Sequence, residues 1–338
     1  MASNMDLAII IVNLNVGELL KQCLTSVYDS LALSDGLRVQ VLVVDNASID
    51  GSAELVRQEF PQVLLMALDK NLGFAGANNL ALQVLGFREI DSEAVHSRDL
   101  VPQWTPKTPF PLPRHVLLLN PDTLVTGTAL ETMVCFLDDY EKTGACGANL
   151  SYPGGRFQHG AFRFPGLAQI ALDFFPPPGR LNTTLLDSAW NGRYSHSLYE
   201  GTDPFPVDFV LGAALMVRGD TIRQVGLFNE SYFMYCEEMD WQRRMRQAGW
   251  QVHCLPSAHV IHYGGASTSQ FKGPMMVALW RSRFRYFQRY HGPLFYLAAT
   301  ALVKTGIKAE RQRAVRAQPE DMAARLAAYE QINELADA

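Results

Sequence analysis

An apolar run, Val116-Leu117-Leu118-Leu119, stops at Asn120-Pro121-Asp122. A buried strand of this kind delivers a carboxylate to its carboxyl end, where open α/β sheets bind ligands. There Asp122 can hold a divalent cation through oxygen; the plainer reading is a turn before a helix capped at Thr126 or Thr128. A second acidic group lies far downstream, in Phe233-Met234-Tyr235-Cys236-Glu237-Glu238-Met239-Asp240-Trp241. Glu237, Glu238 and Asp240 fall in the first turn of a predicted helix, where each acid gains about 0.3–1 kcal/mol from the helix dipole. Glu237 and Asp240 share a face, and Asp240 can pair with Arg243 or Arg244. Glu238 points elsewhere and is free for other work. Three acids among Tyr232, Phe233, Tyr235 and Trp241 exceed what a solvated helix start needs. An acid in such water-poor surroundings can serve as a general base.

Three further segments carry polar groups at strand ends. Asp45 follows Val41-Leu42-Val43-Val44, a position from which a carboxylate can accept a hydrogen bond from a ribose hydroxyl or a pyrimidine N–H; otherwise it forms a turn and caps the next helix. Asn71-Leu72-Gly73-Phe74-Ala75-Gly76-Ala77-Asn78-Asn79 puts small residues where the backbone must approach something closely. Its spacing is not that of a dinucleotide-binding glycine loop, and Asn78 and Asn79 also read as ordinary helix residues. His262 ends a short strand before Tyr263-Gly264-Gly265-Ala266-Ser267 and can ligate a metal or contact phosphate. His259, on the opposite face of that strand, suits a structural role.

The elements that must position these groups alternate between strand and helix over the first 150 residues, as βαβ units do. Strands are predicted at Leu7–Val12, Val39–Val44, Val63–Leu68 and Val116–Leu119. Helices are predicted over 17–31 (through Leu20, Leu24, Val27 and Leu31), from an Asp50 cap to about Glu59, and over 75–85. Residues 86–114 break the rhythm with five prolines and read as an exposed insertion. Residues 153–206 read as a long loop layer. Periodic structure resumes with a strand at Val207–Val217, a helix over Glu238–Ala248, and strands at Gln251–Leu255 and His259–His262.

With 48% hydrophobic and 19% charged residues, the chain is globular rather than disordered. Five cysteines without paired spacing argue against a disulfide framework or a zinc site and for a reducing, cytoplasmic setting. No apolar stretch approaches the ~20 residues that span a membrane. The net charge of −5 conceals a local balance of +9 over residues 272–316, followed by −4 over 317–338. In that basic segment Met276, Trp280, Phe284 and Phe287 recur at helical spacing beside Arg281, Arg285 and Arg289. Gly292-Pro293 then interrupts before the apolar stretch Leu294–Val303. Such a pattern suits either a helix lying in an anionic membrane interface or one packed on the body of the protein. A last helix through Met322, Leu326, Tyr329, Ile332 and Leu335 could dock on the body or mediate self-association into a homo-oligomer. Nucleic acid is not among the partners anticipated.

Taken in order, these segments resemble the family-2 inverting glycosyltransferases of the GT-A fold. The resemblance runs through Ile9-Ile10-Ile11-Val12-Asn13, Val43-Val44-Asp45-Asn46-Ala47-Ser48, Asn71-Leu72-Gly73-Phe74-Ala75 and Leu118-Leu119-Asn120-Pro121-Asp122. It continues through Gly212-Ala213-Ala214-Leu215-Met216-Val217, Val225-Gly226-Leu227-Phe228-Asn229-Glu230, Phe233–Asp240 and His262–Ser267, and is closest to bacterial rhamnosyltransferase-like members. It implies an α/β domain over 1–271, a Rossmann-like and mostly parallel sheet flanked by helices, with a C-terminal helical extension over 272–338. It implies that a nucleotide-sugar donor meets Asn13, Asp45, Asn71, Gly73, Asn79 and Asn120, and that Asp122 and His262 hold Mg²⁺ or Mn²⁺. Glu238 would be the base, with Glu237 the alternative. The donor implied is dTDP-rhamnose or a UDP-sugar, and the acceptor a saccharide or a lipid-linked glycan of bacterial surface polysaccharide synthesis. That work would be done in the cytoplasm or on the inner face of the plasma membrane. Other donors, such as UDP-galactofuranose, and a catalytically silent carbohydrate-binding relative are the competing readings. Two residues depart from the family pattern: Asn120 brings no charge to the metal, and Glu238 is one methylene longer than the usual aspartate.

Overall fold

Of the apolar runs that read as strands in the sequence, Leu7–Val12 and Val116–Leu119 are buried along nearly their whole length, Val39–Val44 along most of it, and Val63–Leu68 only in part. In the computed structural model, which describes residues 5–89, 104, 110–179, 184–264, 272–319 and 321–337, the first four are β1 (Leu7–Asn13), β2 (Val39–Asp45), β3 (Leu64–Ala67) and β4 (His115–Leu119). They run parallel in the order β3-β2-β1-β4. The chain therefore reverses its winding beside β1, the topological switch where α/β sheets open a crevice at their carboxyl ends. Asn13 and Asp45 end β1 and β2 in register with each other.

The remaining strands are β5 (Thr123–Val125), β6 (Thr143–Ser151), β7 (Phe157–Gln158), β8 (Ala161–Phe162), β9 (Phe205–Pro206), β10 (Phe209–Val210), β11 (Ala214–Arg218) and β12 (Gln251–His262). The sheet continues from β4 through β11, β6 and β12 to β5, with β11 antiparallel to both of its neighbours and β6 parallel to β12. The packed interior beneath this sheet joins Leu7, Ile9 and Ile11 to Leu20, Leu24 and Val27 of the helix Gly17–Ala32. Leu130, Met133 and Leu137 of the helix Ala129–Asp139 complete it.

Several boundaries differ from the sequence reading for identifiable reasons. The strand predicted over Val207–Val217 is broken at Leu211–Ala213. Leu211 N–H donates to Gly160 O (2.8 Å) and Ala213 O accepts from Asn120 N–H (3.0 Å), so the backbone turns between two partners. The two strands predicted near Gln251 and His262 are one strand, β12, whose register against β6 shifts between Leu255 and His259, around Pro256. Proline has no N–H for the ladder, so it is tolerated at such an irregularity. Asp50 does not cap the helix Ser52–Glu59 from the cap position, which is Gly51; its carboxylate instead accepts from Gly17 N–H (2.9 Å) and Ser52 N–H (3.1 Å), tying two helix starts together. The predicted insertion over 86–114 falls mostly outside the described residues.

Two compact units make up the chain. The first is Met1–Phe162, His196–Phe233 and Glu237–Ser267, and contains the whole sheet. The second is Arg163–Ser195, Met234–Cys236 and Thr268–Ala338. In the second unit the helices Leu167–Phe174, Lys272–Tyr290, Pro293–Ala317 and Met322–Asp337 pack around aromatic contacts. Phe174 stacks on Trp280 at 5.2 Å, and Gly306 leaves the space that Phe174 fills, since a Cβ there would lie 2.1 Å from the ring.

In the first unit, Gln242 secures the helix Glu237–Gln247 to β10. Its carbonyl accepts from Val210 N–H (2.8 Å) and its amide donates to Val210 O (2.8 Å) and Glu238 O (3.0 Å), all in buried or part-buried surroundings. A buried backbone group stripped of its partner costs roughly 1–3 kcal/mol. Gln242→Leu should accordingly lower the melting temperature by several degrees while leaving the circular dichroism spectrum native. A melting point within one degree or so of wild type would remove Gln242 from this anchoring role.

Candidate active site

At the ends of β1 and β2, the short strand tails are fixed by amide side chains. Asn13 donates from Nδ2 to Asp45 Oδ2 (2.9 Å) and to Ser48 Oγ (3.1 Å), and Asp45 Oδ1 accepts from Ser48 N–H (2.9 Å). Asp45 is thus a buried, oriented carboxylate. Asn13 Oδ1 is buried and has no hydrogen-bond partner among the described residues, so this cluster keeps one acceptor for an incoming donor group.

The glycine-bearing loop joins the same edge. Asn46 donates to Asn71 Oδ1 (2.8 Å) and accepts from Leu72 N–H (2.8 Å), while Asn71 Oδ1 also accepts from Gly73 N–H (2.8 Å). Gly73 has φ of +74°, and a Cβ on it would lie 2.3 Å from Phe233 O, which accepts from Phe74 N–H (2.9 Å). Only glycine allows that approach. Asn79 is placed differently from its sequence reading as a donor contact. Its amide donates to Phe228 O and Glu230 Oε1 and its carbonyl accepts from Phe228 N–H, each at 2.9 Å. Asn79 therefore clamps the helix Gly73–Val84 to the Phe228–Glu230 loop, with its amide engaged by the protein.

Asn120, Asp122 and His262 do come together. His262 Nε2 lies 3.5 Å from Asp122 Oδ1 and 3.4 Å from Asn120 Nδ2, and Nδ1 lies 3.2 Å from Gln158 Oε1. Asp122 and His262 are both buried. Pairing of β12 with β5 puts His262 opposite Thr123, and Tyr263 N–H donates to Asp122 O (2.9 Å), so the two side chains are brought together by the main chain. A carboxylate oxygen and an imidazole nitrogen suit Mg²⁺ or Mn²⁺. No group of three or more His, Cys, Asp or Glu suited to a metal occurs among the described residues. Two protein ligands are what a cation shared with substrate phosphates needs, because Mg²⁺ commonly keeps its other positions for phosphate and water. His259 takes the structural role anticipated for it, with its ring 3.4 Å from Thr126 Oγ1.

Glu237 and Glu238 open their helix with one buried carboxylate oxygen each, Oε2, lacking any hydrogen-bond partner among the described residues. Burial lifts the Glu237 carboxyl well above the ordinary glutamate range, and the charge of Glu238 adds to the effect. Burial lifts Glu238 as well. Glu238 is the more accessible of the two. Asp240, by contrast, is neutralised by Arg244 Nε at 2.9 Å. The preceding Tyr235 and Cys236 both hold left-handed backbone, at φ of +68° and +66°, a conformation that non-glycine residues adopt at some cost. Gly212 links the acids to the Asn120 edge. A Cβ there would sit 3.8 Å from Glu238 Cβ and 3.5 Å from the Phe74 ring, and the next residue, Ala213, holds Asn120 through the backbone. Gly212, Asn46 and Ser48 stand in segments that carry the family resemblance but without a role read from them; Gln158 and Gln242 carried no periodic or motif signal that could mark them.

Comparison with known proteins follows the same segments. Residues 8–85 match the glycosyl transferase family 2 model. The N-acetylglucosaminyl-diphospho-decaprenol L-rhamnosyltransferase of Mycobacterium tuberculosis is 28% identical over 267 residues, 78% of each chain. The rhamnosyltransferase WbbL of Escherichia coli K12 is 27% identical over 179 residues, 52% of this chain and 62% of WbbL, so the match spans less than two thirds of that protein. The mannosyltransferase PcManGT of Pyrobaculum calidifontis, solved with GDP-Man and Mn²⁺, shares the fold at a TM-score of 0.52 and 15% identity, covering 99% of this chain and 84% of its own.

A raised carboxyl pKa has a consequence for stability. The fold favours neutral Glu237, so its contribution is fullest below the unfolded value of about 4.3 and declines as pH rises toward the elevated folded value. Glu237→Gln removes that loss. The margin of its melting temperature over wild type should widen as pH rises from ~4, because ionising the buried Glu237 destabilises wild type whereas the amide does not titrate. A margin independent of pH, measured across that range by calorimetry, would contradict the elevated titration of Glu237.

Proposed function

We propose that the protein is a glycosyltransferase of the family 2 type, as the match over residues 8–85 and the mycobacterial relative support, and that it performs a single inverting transfer with Glu238 as the base. The observation that carries this reading is the buried Oε2 of Glu237 and of Glu238, each unpartnered among the described residues, with Glu238 beside Gly212, whose neighbour Ala213 fixes Asn120 of the Asp122–His262 edge. Glu238 accepts the proton of the acceptor hydroxyl as that oxygen attacks the anomeric carbon. The bond from that carbon to the diphosphate oxygen breaks, its electron pair leaves with the nucleoside diphosphate, and the configuration inverts. Burial and the charge of Glu238 both favour the neutral form of Glu237, which lessens the charge that Glu238 faces; a proton acceptor works best with a pKa near the working pH. The oriented Asp45 and the open acceptor of Asn13 suit the nucleoside, and Asn71 and Gly73 shape the adjoining loop. Mg²⁺ or Mn²⁺ at Asp122 and His262 would supply positive charge against the departing diphosphate. Asn120 adds an amide to that edge without charge.

The sugar we assign is rhamnose, from a nucleoside diphosphate donor such as dTDP-rhamnose, and the acceptor a lipid-linked saccharide. What supports this is the mycobacterial relative, whose name specifies both, and its coverage of 78% of the chain. Among the described residues no helix is long and apolar enough to cross a membrane. For a lipid-linked acceptor we place the enzyme in the cytoplasm, at the inner membrane face. The second unit, taken by itself, has a suitable surface. Leu294 and Leu297 are 82% and 67% exposed, lie one turn apart, and begin the helix Pro293–Ala317. Arg281, Arg285 and Arg289 line the exposed face of the helix before it. Apolar tips beside cations suit an anionic interface, whereas a second copy would set one +9 segment against another.

Two experiments test the reading. With a panel of nucleotide sugars, wild-type protein should turn over dTDP-rhamnose in a metal-dependent manner, and Asp122→Ala should abolish that dependence. Glu238→Gln should retain donor affinity while transfer falls roughly 10²–10⁴-fold, the range for a lost general base. Loss in Glu237→Gln with full activity in Glu238→Gln would move the base by one residue, and sugar binding without turnover would favour a silent carbohydrate-binding protein. Separately, replacing Arg281, Arg285 and Arg289 with glutamine should weaken salt-sensitive co-sedimentation with anionic vesicles, with circular dichroism unchanged. Equal sedimentation of mutant and wild type would withdraw the membrane assignment.

A further inference from the structure

We propose that Gln158 is a positioning residue that fixes the tautomer and plane of the His262 ring, so that Nε2 presents a lone pair to the Asn120–Asp122 edge. The main chain of His262 is already set by its pairing with Thr123 and by the adjoining bond from Tyr263 N–H to Asp122 O. What the main chain does not set is which ring nitrogen carries the proton. Gln158 Oε1 lies 3.2 Å from Nδ1, and a carbonyl oxygen can only accept, so the proton belongs on Nδ1. The other tautomer would aim Nε2–H at Asp122 Oδ1 across 3.5 Å, beyond a good hydrogen bond, and would leave Oε1 facing a lone pair.

Gln158 has a rigid seat for this task. It lies on β7, opposite Leu150 of β6. The turn before it closes with Tyr152 N–H donating to Arg156 O at 2.7 Å. Phe157, its neighbour, is wedged among His159, His196 and Tyr199 at ring separations of 4.7, 4.1 and 4.9 Å. Histidines that ligate metals typically donate their second N–H to such an oxygen, which orients the ring and raises the basicity of the ligating nitrogen. The consequence for metal binding rests on the assignment of Asp122 and His262 as ligands; the tautomer does not.

The full chain labelled with ¹⁵N-histidine allows both to be measured. Long-range ¹H–¹⁵N correlations at mildly alkaline pH, with His262 assigned by its loss in His262→Gln, should show Nδ1–H and bare Nε2 in the wild type. Gln158→Leu should shift the ring toward Nε2–H, and Gln158→Glu, which still accepts from Nδ1–H, should keep it. By electron paramagnetic resonance of free Mn²⁺, Gln158→Leu should bind about 10–100-fold more weakly than wild type, and Gln158→Glu at least as tightly as wild type. Nε2–H in the wild type, or an unchanged tautomer in folded Gln158→Leu, would overturn the proposal; the wild-type and Gln158→Glu spectra decide it if Gln158→Leu does not fold. Nδ1–H in a wild type that binds no Mn²⁺ would uphold Gln158 and instead remove the metal from Asp122 and His262.

Discussion

Glu237 and Glu238 are adjacent carboxyl groups withdrawn from water, each with an oxygen that no group among the described residues satisfies. Burying such groups is unfavourable, and a protein that keeps them must hold their helix in place by other means. The bonds that do so follow in successive positions. Asp240 pairs with Arg244 (2.9 Å), the Trp241 indole donates to Gly226 O (2.8 Å), Gln242 grips Val210, and Arg244 also donates to Leu227 O (2.7 Å). At roughly 0.5–1.5 kcal/mol net for each ordinary bond, these anchors can offset the unsatisfied pair. The same burial that penalises the fold raises both carboxyl pKa values, and so makes each carboxylate a stronger proton acceptor than an exposed glutamate.

The opposite wall is built with amides. Asn46 and Asn79 each both donate and accept, Asn71 uses one oxygen twice and Asn13 one nitrogen twice, joining strand ends to loops without introducing charge. Asp45 and Asp122 then stand as the carboxylates of the edge where a nucleoside diphosphate would bring its own negative charge. A wall of ionised residues would oppose that ligand, whereas a wall of oriented amides leaves cationic compensation to a metal.

Between these walls, two glycines do different jobs. Gly73 adopts left-handed backbone and admits Phe233 to within a distance no Cβ would tolerate. Gly212 has no positive φ; a Cβ there would make ordinary contact with the Phe74 ring at 3.5 Å and with Glu238 Cβ at 3.8 Å, so its lack of a side chain keeps the space beside Glu238 unfilled. One glycine serves the backbone and the other serves the space.

Much of the scaffold was legible from the amino-acid order. Apolar runs such as Leu7–Val12 and Val116–Leu119 determine buried parallel strands, because alternation and continuity of hydrophobic residues report burial directly. Asp45 and Asp122 at strand ends, and the acidic cluster beside Trp241, pointed to the candidate site by chemistry at element ends. Tertiary structure alone decided which polar groups are spent and which remain available. Asn79 looked equivalent to other loop amides until its partners proved to be Phe228 and Glu230, about 150 positions away. Likewise Asp240 is neutralised by Arg244 while Oε2 of Glu237 and of Glu238 finds no partner among the described residues, and Gln158, in a stretch that read as loop, reaches His262 across 104 positions. Periodicity encodes which face of an element is buried; a hydrogen bond requires two specific atoms within about 3 Å, and only the folded chain brings distant residues that close.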